Sequence, residues 1–169
     1  MTRKRSFSVA LMLALFALAL GMQASLATAK TPKILEFDTM VGVPQAFTGT
    51  QNPIRGINGG GLPWRLDAAS GELTTSGRLE VKVTGLVLDA GTNAGSNPIA
   101  SFRAVVSCLG ADASVQNIVT EAVPATTGPA ATGGGNAEIE ADLALPQPCI
   151  SPIVFVTSPG GAWFASTGG

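Results

Sequence analysis

The chain has 169 residues, ten basic and eleven acidic side chains, two cysteines, and neither histidine nor tyrosine. A serine–histidine–aspartate relay, imidazole general-base chemistry and histidine metal sites are therefore excluded. Two thiols alone would leave a cysteine-held zinc or copper site two ligands short.

Arg3, Lys4 and Arg5 form a basic head, residues 9–20 an uncharged apolar run, and Ala27-Thr28-Ala29 the small-x-small pattern of a signal-peptidase site. The run is shorter than the about 20 residues a membrane span needs, although an uncleaved anchor is the competing reading. No cysteine stands directly after it to carry a lipid, so a lipoprotein anchor is not expected. Residues 1–29 are predicted to be a signal peptide, and residues 30–169 a single exported domain, secreted or associated with the cell envelope. That domain carries seven basic and eleven acidic residues, a net charge of −4 with no basic stripe. Nucleic acid is not an expected partner, and no membrane contact is expected after cleavage.

From residue 30 onward helix signals are nearly absent, and glycine and proline separate short stretches that alternate with period two. The first predicted strand spans 34–39 and contains Glu36 and Asp38. Next comes "GINGGGLPWRL", residues 56–66, with four glycines in six positions. A phosphate-binding loop needs a lysine and a hydroxyl residue after its last glycine, followed by a helix. Here Gly61 precedes Leu62-Pro63-Trp64 and a predicted strand at 64–68, so the stretch reads as a bend.

Residues 78–84 alternate cleanly, Leu79, Val81 and Val83 against Arg78, Glu80, Lys82 and Thr84, and Gly85 then marks a bulge or a bend between sheets. A polar connection covers 89–97, and strands follow at 102–108 and 115–122. Residues 124–136, "PATTGPAATGGGN", carry no charge and no large apolar side chain, and are expected to be mobile. In the strand at 137–145, Glu138, Glu140 and Asp142 share one face, expected to be solvated and set against Arg78 and Lys82. A continuous apolar strand at 152–157 is predicted to form a hairpin with 163–166 across "SPGG". About eight such strands predict an antiparallel β-sandwich, with a closed β-barrel as the alternative.

Cys108 and Cys149 both fall in the exported part. In an oxidising compartment two cysteines in one domain pair, a free reactive thiol being the competing reading. Closing a loop of about 40 residues is worth roughly 4 kcal/mol in the chain-entropy account.

"NPIRGINGGGLPW", "GELTTSGRLEVKVTGLVL", "NPIASFRAVVSCL" and "PCISPIVFVTSPGGAWFA" together resemble a group of uncharacterised secreted bacterial proteins with a single β-rich domain. The resemblance spans nearly all of residues 30–169 and implies export and one compact domain, but no catalytic residue or ligand. "GVP" near the start and "GELTTSGRLEVKVTGL" bear a fainter likeness to chordin-type repeat domains, but the histidine pair of those domains is missing and nothing is carried over.

The expected function is a non-enzymatic exported β-sandwich that presents loops to a protein or glycan partner, with no cofactor. Trp64 and Trp163, each led by glycines, are read as core or rim anchors, or else as a stacking platform for sugars. If binding occurs at the loop ends, Arg55 and Arg65 flank Trp64 as polar anchors. The alternatives are a carboxylate-dependent hydrolase and a calcium-assisted carbohydrate-binding module. They are separated from the first reading by whether carboxylates converge in a concave site.

Overall fold

The computed structural model describes residues 30–168, so the predicted signal peptide lies outside the described residues. The strands are β1 (Lys33–Phe37), β2 (Val41–Gly42), β3 (Trp64–Arg65), β4 (Ala68–Thr74), β5 (Arg78–Thr84), β6 (Val87–Leu88) and β7 (Ser96–Asn97). They continue as β8 (Ser101–Leu109), β9 (Val115–Val119), β10 (Val123–Pro124), β11 (Gly128–Pro129), β12 (Ala137–Asp142), β13 (Ile150–Thr157) and β14 (Trp163–Ser166). The fold is all-β, antiparallel and not a closed barrel; it is a β-sandwich. Of the two large sheets, the first has the order β1-β4-β5-β12 and the second β10-β8-β13-β14-β2, with β9 also paired to β8; β11-β7 and β3-β6 are two-stranded.

The period-two alternation explains the core. In the first sheet Leu73, Leu79, Val81, Val83 and Ile139 are buried on one face, while Glu80, Lys82, Glu138 and Glu140 stay exposed on the other. The facing layer is Phe102, Ala104, Val106, Val154 and Val156. Burying one such aliphatic or aromatic side chain contributes about 1.5–3 kcal/mol before entropy is charged against it.

The second sheet departs from one-sided burial, because Val105, Ser107, Phe155, Thr157 and Trp163 are also buried, although they share the opposite face. Residues 45–63 form a strap over that face. Trp163 N donates to Asn58 O (2.9 Å), Gly60 N donates to Trp163 O (2.8 Å), and the Phe47 ring meets the Trp163 indole edge-on at 6.3 Å. Within the strap, Gly59 lies so close to the Phe47 backbone that a Cβ there would fall 2.0 Å from Phe47 O. The glycine run is thus more than a bend: it allows backbone to lie against backbone and close a third layer.

Several boundaries differ from expectation. β4 falls where no strand was predicted, since "AASGELT" has no apolar alternation to announce it. Its Gly71 sits directly opposite Phe37, and a Cβ at that position would lie 2.6 Å from the Phe37 ring. The predicted strand at 64–68 is only β3, which pairs with β6. Gly85, at φ +63°, is the bend where the chain leaves the first sheet for β6.

The segment 124–136, expected to be mobile, instead has a defined fold. Gly135 N donates to Thr126 O, Ala130 N to Gly95 O and Leu86 N to Gly135 O, and β11 pairs with β7. Its order comes from backbone hydrogen bonds together with polar contacts of the Thr126, Asn136 and Asn97 side chains, which a reading based on apolar burial does not detect.

Candidate functional site

Cys108 and Cys149 form a disulfide across 41 positions. The bridge lies where Leu109 of β8 meets Ile150 of β13, and it joins the end of β8 to the segment entering β13. No free cysteine remains among the described residues.

Neither indole is available as a platform. Trp64 is 5% exposed and stacks on Phe164 at 3.9 Å, while Trp163 is 2% exposed between Phe155 and Phe47. The two do not converge at a surface. Trp64 belongs with Phe164 and Phe102, and Trp163 lies under the strap. No aromatic side chain is exposed among the described residues. The Trp163 indole nitrogen is buried without a hydrogen-bond partner, as are Arg103 Nε and Ser107 Oγ.

Arg55 is not a surface anchor either. Ile54 and Ile57 exchange backbone hydrogen bonds around Arg55-Gly56, whose φ values are +47° and +79°, as a two-residue turn of this hand requires. That turn aims the guanidinium at the sheet, where Nη1 donates to Ser107 O (2.7 Å) and Nη2 to Ser151 O (2.7 Å). Here the β8–β13 register shifts between Ile150 and Ile153, and Pro152 has no N–H to offer the ladder. Asn117 Nδ2 in turn donates to Arg55 O (3.1 Å). Arg55 therefore ties the strap to β8, β13 and β9. Arg65 pairs with Asp67 (3.3 Å) and Asp89 (3.5 Å) at the surface.

The carboxylates do line a concave surface. A trough of about 830 Å3 runs over the outer face of the first sheet and is bordered by Glu36, Asp38, Glu72, Glu80, Glu138 and Glu140. Glu138, Glu140, Asp142, Glu36 and Asp38 are legible in the sequence as candidates; Glu72 is not, because β4 has no apolar alternation to announce it. Register sets Glu36 opposite Glu72, Glu72 opposite Glu80, and Glu80 opposite Glu140, one glutamate from each of four adjacent strands.

Like charges directly opposite one another are destabilising; Lys33 bridges the first of these pairs and Arg78 the last. Lys33 Nζ bridges Glu36 (2.6 Å) and Glu72 (2.5 Å). Arg78 reaches Glu80 (3.3 Å), Glu140 (2.6 Å) and Asp142 (3.8 Å), and Lys82 meets Glu138 at 2.6 Å, as the alternation of β5 and β12 predicted.

The pairing shifts three of these groups. A hydrogen bond from the Lys82 ammonium, helped by its charge, holds the Glu138 carboxyl below the usual glutamate range. Glu36 and then Glu72 raise the Lys33 ammonium above its ordinary value, and Glu80 is the main group raising Arg78. Glu138 is therefore kept ionised, the reverse of what a general acid requires. No group of three or more Asp, Glu or Cys among the described residues is arranged to hold a metal ion. No helix among them is long and apolar enough to cross a membrane. No protein-family model, curated protein or solved structure matches the chain.

Proposed function

We propose that the protein is a non-enzymatic β-sandwich domain of the cell exterior, with a structural or interaction role. One observation carries this reading: the side chains that could do chemistry are engaged in holding the fold. Both thiols are in the disulfide, both indoles are buried, and the Arg55 guanidinium donates to two backbone carbonyls. The trough carboxylates alternate with Lys33, Arg78 and Lys82.

The disulfide supports an oxidising compartment. Export rests on the basic head, apolar run and small-x-small site of residues 1–29, and on the resemblance to secreted bacterial proteins. An intact mass beginning at Lys30 is the expected result for exported material; retention of residues 1–29 would contradict it.

The hydrolase alternative draws support only from the concavity of the trough. Glu80 and Glu140 face each other across β5 and β12, but Arg78 bridges both, and the neighbouring Glu138 is held ionised. A glycan-binding role would lack an exposed ring to stack on a sugar. The test is turnover of a panel of glycosides and esters by the wild type and by Glu80→Gln/Glu140→Gln. The expected result is no hydrolysis that depends on the two glutamates. Hydrolysis by the wild type that the double variant abolishes would replace this reading with the enzymatic one.

A further inference from the structure

β9 is an edge strand without the devices that usually protect an edge. β1 carries Lys33 and Glu36, β12 carries three carboxylates, β2 is two residues long, and β10, on the same side of β8 as β9, ends in proline. Charge, shortness and proline all discourage edge-to-edge pairing. β9, "VQNIV", has none of these, and no charged residue occurs between Asp112 and Glu121.

The backbone of β9 is also oriented for pairing. Thr120 N donates to Ala104 O (3.0 Å) and Gly110 N to Ser114 O (2.9 Å), one bond at each end of the β8–β9 ladder. Antiparallel alternation then directs the N–H and C=O groups of Gln116 and Ile118 toward β8, and those of Val115, Asn117 and Val119 away from it.

Side chains point the same way. Val115, Val119 and Ile150 are three of the five exposed large hydrophobics among the described residues, at 46%, 48% and 44%. Ile150, Leu109 and Val115 stand directly opposite one another across β13, β8 and β9, and Phe155, Val105 and Val119 form a parallel row on the same face.

We propose that β9 pairs antiparallel with β9 of a second copy of this chain, about a two-fold axis at Asn117, to make one continuous sheet. The sequence is self-complementary in that register. Val115 meets Val119 of the second copy and the reverse, and the outward backbone groups of Val115, Asn117 and Val119 face their counterparts. The row Ile150–Leu109–Val115 then continues into Val119–Val105–Phe155 of the second copy. An uncharged edge meets an uncharged edge, and the nearest carboxylates, Asp112 and Glu121, fall outside the paired span. Five residues a side is far below the about 20–30 of a standard interface, so the dimer is weak, with a Kd on the order of 0.1 mM. It forms where the protein is concentrated.

Sedimentation equilibrium of the purified, disulfide-bonded protein, from about 10 µM to about 1 mM, reads the association directly. The wild type should pass from monomer to dimer. Val115→Lys/Val119→Lys and Val115→Glu/Val119→Glu each set like charges opposite one another and should stay monomeric with unchanged near-ultraviolet circular dichroism. An equimolar mixture of the two variants should dimerise again. A wild type still monomeric at the highest concentration would overturn the proposal. So would undiminished dimerisation of both charged variants, which would place the contact elsewhere, or a mixture that fails to associate.

Discussion

Arg55 occupies a left-handed position that usually falls to glycine or asparagine, at φ +47°. That conformation costs a non-glycine residue roughly 1–2 kcal/mol, and its two charged hydrogen bonds, each worth about 1.5–3 kcal/mol, more than offset it. Arg55→Ala should therefore lower stability in a denaturant melt by about 2–4 kcal/mol. A loss under about 0.5 kcal/mol would mean that the Ser107 and Ser151 carbonyls do not depend on it. Glu138 makes a prediction of opposite visibility. Its folded pKa is depressed, so its ion pair contributes fully above the ordinary glutamate range and is lost as pH falls through the lower folded value. In carbon-13 NMR, Lys82→Met should return the Glu138 midpoint to the ordinary range; an unmoved midpoint would remove the ammonium as the cause. The two residues differ in how far the sequence reveals their roles. The charge alternation of β5 and β12 is visible in one dimension, whereas the target of Arg55 is a pair of backbone carbonyls that no side-chain pattern announces.

At the scale of elements, legibility followed side-chain contrast. β5, β8, β12 and the β13–β14 hairpin were readable because buried and exposed positions differ in polarity. β4 was not, because its Gly71 and small residues serve a crossing by Phe37, which appears only once β1 is placed beside it. The strap had a trace in the sequence. The uninterrupted apolar run "PIVFV" cannot belong to a strand with one wet face, and residues 45–63 cover its second face. Gly59→Ala tests the strap by itself. Its Cβ would collide first with the Phe47 backbone and also with the Val43 side chain, and backbone cannot swing aside, so the strap must shift. Amide exchange should quicken selectively at Gly60 and Trp163, whose bonds join strap to sheet, while β4 and β5 keep their protection. Unchanged exchange at those two amides would show that the close approach is not needed.

Across the whole molecule, charge and burial are sharply divided. The outer face of the first sheet and its trough carry three cations and seven carboxylates, and the remaining described residues carry four of each. The whole net charge thus lies on one face, the opposite face is closed by the strap, and a bare strand edge remains at the side. The residues most suggestive of a site, the two glycine-led tryptophans above all, serve the core. Because the chain has no tyrosine and only two tryptophans, its fluorescence excited at the indole band comes from Trp64 and Trp163 alone. Iodide quenching of that fluorescence in the native protein is the most direct measurement. The predicted result is a blue-shifted emission that iodide barely quenches until the protein is unfolded, with the same shielding in Trp64→Phe and in Trp163→Phe. Ready quenching of either indole in the folded protein would place it at the surface and contradict the account.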